Sequence, residues 1–156
     1  MPDVFTPGNL IRIKDFKFED GNTRDKYMFV LLRNDGGAYV ISSLTTSQNK
    51  LNVSAIGSGC YYDARISTYY HFSAGEVLGD GDFYFDKDTY IFFRENIRRI
   101  EVAALDVYVS ATNQLAAAHI TTLKKEELKW LLQCVINSKF TPKDLKDELA
   151  TYKDSF

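Results

Sequence analysis

The chain has 156 residues, of which 45% are hydrophobic, 14% are aromatic and 26% are charged. This length fits one compact domain, and the composition excludes an intrinsically disordered protein. The formal net charge of −2 argues against a protein that coats duplex DNA through a broad basic face.

Targeting and redox features predict a cytoplasmic protein that does not contact a membrane. The N-terminus lacks the basic and apolar regions of a signal peptide, and no apolar run approaches the roughly 20 residues that a membrane helix needs. The two cysteines, Cys60 and Cys134, are far apart and match no C-x-x-C pattern. Cys134 falls in an apolar helical pattern, where a buried free thiol is the common outcome. We therefore expect both cysteines to be reduced.

The first two strands are predicted at 9–14 and 26–33 in "GNLIRIKDFKFEDGNTRDKYMFVLLRND". An ordinary hairpin needs a turn of two to five residues, whereas this connection takes about ten. The connection is rich in charge: it carries Lys17, Glu19, Asp20, Arg24, Asp25 and Lys26. Since long ordered loops often carry function, we expect chemistry there.

The pattern after residue 33 predicts further short strands. We expect a turn at 34–37, a strand at 38–44, a loop with short strands from 45, a strand at 67–72, a turn at 79–82, a short strand at 83–85 and a turn and strand at 86–93. Periodicity does not decide whether 96–105 forms a helical turn, a strand or one after the other.

Residues 122–156 change to a helical period. The apolar stripe of the first helix is Leu128, Leu131, Leu132 and Val135, and Glu126 and Glu127 suit its first turn. For a second helix we predict Thr141 as N-cap, Pro142 at N1 and Asp144 at N3, with Leu145, Leu149 and Tyr152 on its apolar face.

Short strands followed by terminal helices predict a mainly β fold, a small barrel with an α-helical hairpin packed on it. We expect residues 1–156 to form a single domain, with the barrel at 1–120 and the C-terminal helices at 121–156. Helices do not alternate with strands in the first hundred residues, which argues against a doubly wound α/β fold.

The opening third resembles the MazF/PemK-like toxins of bacterial toxin–antitoxin systems. The pieces that carry the resemblance are "RIKDFKFEDG", "TRDKYMFVLL" and "YVISSLTTSQ", and, more loosely, "DKDTYIFFRENIRRIE". The resemblance covers about residues 8–50 and 83–101. It implies an SH3-like barrel, a homodimer, and a metal-independent endoribonuclease that cuts single-stranded RNA and is neutralised by an antitoxin protein.

The resemblance also implies site residues. The basic catalytic position matches Arg24, and the hydroxyl position at the end of the third strand matches Thr45, with Thr46 as the near alternative. A guanidinium suits the charge that develops on phosphate during RNA cleavage. The substrate-binding positions that follow from the resemblance are Asp15, Lys26, Thr46, Ser47 and Gln48. No cofactor and no metal are expected.

Two other interpretations remain open. Family members commonly have proline after the catalytic arginine, whereas this chain has "TRDKY", and Asp25 can neutralise Arg24. These departures favour a non-catalytic SH3-like barrel that binds nucleic acid or protein. A third interpretation is an assembly protein whose helical hairpin provides a partner surface.

Several conspicuous residues have ordinary structural interpretations. His71 in "YYHF" is typical of a strand histidine with a satisfied hydrogen bond, and His119 lies in an apolar setting. The hydroxyls of "TTSQ" can cap backbone groups instead of touching phosphate. The tyrosine pairs at 61–62 and 69–70 are expected to alternate between core and surface, although they could stack RNA bases.

Overall fold

The computed structural model describes residues 5–17, 23–34, 39–49, 51–93, 97–103 and 117–156. The strands in these ranges are β1 (Asn9–Lys17), β2 (Thr23–Asn34), β3 (Tyr39–Leu44), β4 (Gly59–Asp63), β5 (Ser67–Phe72), β6 (Thr89–Phe92), β7 (Ile97–Glu101) and β8 (Ala117–Thr122). Two helices follow, α1 (Lys125–Asn137) and α2 (Lys143–Asp154).

The strands form two antiparallel sheets. The larger sheet has the order β7-β3-β2-β1-β8, and the smaller has the order β4-β5-β6. An isolated bridge between Thr46 and Tyr90 links the ends of the two sheets. Among the described residues, the sheets do not close into one hydrogen-bonded barrel. The prediction of a mainly β fold with two C-terminal helices is confirmed.

The predicted long charged loop between the first two strands is wrong. β1 continues to Lys17 and β2 already begins at Thr23, and these two residues pair with each other. Arg24, Asp25 and Lys26 are therefore strand residues. Charged residues can extend a strand at the end of a sheet because successive side chains alternate between its faces. Residues 18–22 and most of the predicted 34–37 turn lie outside the described residues.

Three further predicted strands are confirmed, as β3, β5 and β6. The segment 96–105, which periodicity left undecided, contains the strand β7.

The strand predicted at 83–85 is wrong. Its carbonyls instead accept bonds from a neighbouring loop, Leu78 N–H to Phe83 (3.0 Å) and Gly75 N–H to Phe85 (2.9 Å). β8 was not predicted, because its "AAHITT" pattern is short and does not alternate cleanly.

The two helices share one core with both sheets. Leu131, Leu132 and Leu149 are fully buried, and they belong to the same cluster as Phe29 of β2 and Ile91 of β6. This burial of the apolar stripe holds the helical hairpin against the strands, as predicted. At the start of α1, the Glu127 carboxylate accepts the backbone N–H of Lys124 at 2.8 Å.

The predicted start of α2 is displaced by one residue. The N-cap is Pro142 and not Thr141. The Thr141 hydroxyl is buried and donates to the carbonyl of Val135 at 2.8 Å, so it satisfies the end of α1 instead of the start of α2.

The expectation of reduced cysteines is also wrong. Cys60 on β4 and Cys134 on α1 are joined by a disulfide, with their Cα atoms 5.7 Å apart. Their sequence separation of 74 hid the contact, which exists because α1 packs against the smaller sheet. Since disulfides are rare in the cytosol, the predicted cytoplasmic location loses its support from the cysteines and stays a prediction.

Candidate functional site

A cleft of about 400 Å³ opens where the two sheets meet. Three segments line it: the first part of β2, the turn after β3, and the segment that leads into β6. The lining residues are Asp25, Lys26, Tyr27, Thr45, Thr46, Ser47, Gln48, Phe83, Tyr84, Phe85, Asp86, Lys87 and Thr89. This volume is within the range of sites that hold drug-sized ligands.

Backbone pairing positions the polar turn of the cleft. β2 and β3 are antiparallel neighbours, so the residues after β3 return beside Lys26 and Tyr27. The Thr45 N–H donates to the Tyr27 carbonyl at 3.1 Å. Thr46 and Tyr90 exchange two backbone hydrogen bonds, of 2.9 and 2.8 Å. Backbone hydrogen bonds thus hold the turn from both sheets.

The two threonine hydroxyls of the turn are used differently. The Thr45 side chain is buried, and its hydroxyl donates to the Tyr27 carbonyl at 3.3 Å. The Thr46 hydroxyl oxygen accepts the Gln48 N–H at 3.1 Å, a bond that does not consume its hydrogen. Thr46 therefore has a donor that can be turned towards an anion in the cleft.

Charge in the cleft is mixed. Lys26 and Asp25 come from β2, and Lys87 and Asp86 come from the segment that leads into β6. The Lys26 ammonium donates to the Thr45 carbonyl at 2.8 Å, which holds this cation beside the turn. An ammonium carries three N–H donors, which suits it to contacts with several acceptors at once.

Aromatic rings build one wall of the cleft. The ring of Tyr27 lies 5.9 Å from that of Phe83 and meets that of Phe85 edge-on at 5.5 Å. Phe85 is buried and anchors this group in the core, whereas the neighbouring Tyr84 is 48% exposed. The wall therefore combines a rigid base with one solvent-facing ring.

Five of the predicted site residues come together in this cleft: Lys26, Thr45, Thr46, Ser47 and Gln48. For Arg24 and Asp15 the structure describes the backbone alone. Arg24 pairs with Phe16 near the start of β2, two residues before Lys26, and Asp15 lies in β1. Their side chains lie outside the described residues.

The wall at 83–87 was missed by sequence reasoning. "FYFDK" was interpreted as strand and turn, so its exposed tyrosine and lysine received no role. The available signal was a tyrosine flanked by two phenylalanines, which puts Tyr84 on the opposite side from two core rings.

The histidines and tyrosine pairs lie elsewhere. His71 is buried in β5, and His119 is exposed on β8, where its Nε2 lies 2.9 Å from the Thr122 hydroxyl. Tyr69 and Tyr70 do not alternate as expected. Both are buried, because β5 is the central strand of the smaller sheet and α1 packs against it. In the described part of the chain, no three His, Cys, Asp or Glu side chains cluster as metal ligands would.

Comparisons with known proteins add nothing to this geometry. Along the described ranges, no helix has both the length and the apolar character that a membrane crossing requires. No family model, no curated protein and no solved structure matches the chain.

Proposed function

We propose that this chain is a MazF/PemK-like endoribonuclease of the SH3-like barrel type, which binds single-stranded RNA in the cleft and cuts it without a metal. The observation that carries the proposal is the convergence of Lys26 and the 45–48 turn on one cleft. These positions were selected from the resemblance alone, and they come from two separate segments, β2 and the turn after β3.

The lining supplies both kinds of contact that single-stranded RNA needs. Lys26, Lys87 and the Thr46 hydroxyl are donors suited to phosphate oxygens. Tyr84 offers an exposed ring on which an unpaired base can stack. A duplex presents no free base face, so this lining favours a single strand.

Cleavage by the RNA's own 2′-hydroxyl needs that hydroxyl deprotonated, the phosphorane charge stabilised and the leaving oxygen protonated. We assign the charge stabilisation to Arg24, on the resemblance. Of the hydroxyl candidates, Thr45 donates to the Tyr27 carbonyl, so we assign its role to holding the turn and the phosphate contact to Thr46. Asp15, Ser47 and Gln48 complete the proposed substrate contacts.

The resemblance further supports a homodimer and an antitoxin protein as partners. Both are proposals that size measurement and co-purification can test.

The second candidate is a non-catalytic binding module of the same barrel type. One observation favours it: the Thr45 hydroxyl and the Lys26 ammonium both bond to backbone carbonyls, as they would in a turn that only maintains structure. A binding module would retain RNA affinity and lack cutting.

The test is cleavage of a long single-stranded RNA with metals chelated. We expect the wild type to cut and Arg24→Ala to lose at least 100-fold in rate, the magnitude typical for loss of one charge-stabilising donor. Arg65→Ala is the matched control, since Arg65 is exposed and bonds Asp63 in the turn before β5, outside the cleft. A folded wild type that binds RNA without cutting it would favour the binding module.

A further inference from the structure

His71 is buried, and one ring nitrogen is fixed as a donor. The side chain is 2% exposed, and Nδ1 lies 2.7 Å from the carbonyl oxygen of Gly57. A carbonyl only accepts, so Nδ1 carries the hydrogen. The Tyr61 hydroxyl lies 3.0 Å from the same oxygen and also contacts the carbonyl of Ile56.

The other ring nitrogen faces a carboxylate. Nε2 is buried without a hydrogen-bond partner, and the nearest charged group is the Asp88 Oδ1 at 3.6 Å. In a neutral ring with hydrogen on Nδ1, Nε2 presents a lone pair to that oxygen, and the contact is repulsive. In an imidazolium, Nε2 presents N–H, and the contact is attractive.

The remaining groups that face His71 do not compete for this role. The Tyr90 ring of β6 packs at 5.1 Å and the Tyr61 ring of β4 lies edge-on at 6.3 Å. Burial, and then the charge of Asp88, raise the pKa of Tyr90, so its hydroxyl stays neutral near pH 7. Histidine is the side chain that changes charge between pH 5 and 8. The contact with Asp88 thus depends on one proton.

Asp88 connects this proton to the cleft. It lies between Lys87 and Thr89, which both line the cleft, and its carboxylate also accepts the Ala74 N–H at 2.9 Å. On the other side, the Tyr90 ring packs against His71, and the Tyr90 backbone exchanges two hydrogen bonds with Thr46. His71 therefore contacts both Asp88 and Tyr90, the two residues that flank the cleft-lining Thr89.

We propose that His71 is a positioning residue that works as a proton-dependent latch: when it is charged, it holds Asp88 and the 86–89 rim of the cleft, and when it is neutral, it releases them. In the charged state Lys87 is fixed facing the cleft. Ligand binding in the cleft is therefore stronger when His71 is charged than when it is neutral. The consequence for RNA rests on the proposed function, whereas the latch itself does not.

The test is an NMR pH titration from 5 to 8 in the His119→Gln background, where His71 is the only histidine. We expect the ring signals of His71 and the amide signals of Lys87, Thr89 and Thr46 to share one midpoint. In Asp88→Asn, the ring still titrates and the rim amides lose most of their response. Asparagine keeps an oxygen for the Ala74 N–H, so the local fold is conserved.

Two results would overturn the latch: a His71 ring that keeps one charge state over this range in the folded protein, or rim amides that do not follow it. Binding of an uncleavable single-stranded RNA is then compared at both ends of the range. We expect about two- to fivefold weaker binding at pH 8, as for the loss of one ion pair, and no such change in Asp88→Asn. RNA that fails to bind at any pH, with the titration as expected, contradicts the proposed function and leaves the latch standing.

Discussion

At the residue scale, a few side chains and one glycine determine how the cleft and its supports are built. Thr45 and Thr46 are adjacent, yet the hydroxyl of Thr45 donates its hydrogen to a backbone carbonyl, whereas that of Thr46 accepts a backbone N–H and keeps its hydrogen. The backbone of Gly79 is likewise determined by its immediate surroundings. It has φ +79°, its N–H lies 3.1 Å from a Glu127 carboxylate oxygen, and it is packed against the Thr122 carbonyl of β8.

We predict that Gly79→Ala destabilises the protein much more than Gly75→Ala. Both glycines have nearly the same positive φ, so both pay about 1–2 kcal/mol for a side chain in the left-handed region. A Cβ at Gly79 would also lie 2.7 Å from the Thr122 carbonyl oxygen, whereas one at Gly75 meets nothing within 4 Å. Overpacking adds about 1–3 kcal/mol.

The measurement is the free energy of unfolding from denaturant titrations of both variants. The difference between them isolates the steric contact, because the conformational cost cancels. Equal losses would show that the turn at 79 is not packed against β8.

At the element scale, the sequence predicted the strands and helices whose residue pattern lies within one continuous segment. The strand at 9–14, the apolar run of β2 and the stripe of α1 are each encoded within one segment, and all three elements are confirmed. Contacts between distant segments were not predictable. Residues 83–85 were predicted as a strand, but their backbone bonds to a neighbouring loop instead. β8 was not predicted, and it is a strand because it pairs with β1.

The same dependence on contacts between distant segments explains which site residues were predicted and which were missed. The turn at 45–48 and Lys26 were found because the resemblance covers both strands that carry them. The wall at 83–87 was missed, since only the packing of the two sheets brings Tyr84 and Lys87 to the cleft. The disulfide is the third case, because nothing local indicates that Cys60 and Cys134 meet.

We predict that the disulfide contributes about 2–4 kcal/mol to stability by restricting the unfolded chain. The free energy of unfolding should fall by this amount when reductant is added to the wild type. Cys60→Ala should be equally weakened without reductant and should not respond to it. Cys60 is exposed, so this change removes little packing.

Mass spectrometry of alkylated protein provides the control for the bond itself. Two free thiols in protein purified without reductant, together with a stability that reductant leaves unchanged, would contradict the disulfide.

At the scale of the whole molecule, two sheets and a helical pair meet around one core and leave a cleft where the sheets join. The larger sheet supplies a cation and a polar turn, and the approach to the smaller sheet supplies rings and a second cation. The proposed endoribonuclease function requires that single-stranded RNA binds in this cleft.

The most direct test is the affinity for an uncleavable single-stranded RNA, measured by fluorescence anisotropy for the wild type, Tyr84→Ala and Tyr62→Ala. Both tyrosines are exposed, at 48% and 72%, but only Tyr84 lines the cleft. Stacking of one base is worth about 1–3 kcal/mol. The account predicts that Tyr84→Ala raises Kd by about 5- to 150-fold and that Tyr62→Ala leaves it unchanged. Equal affinity in all three proteins, or a loss confined to Tyr62→Ala, would contradict it.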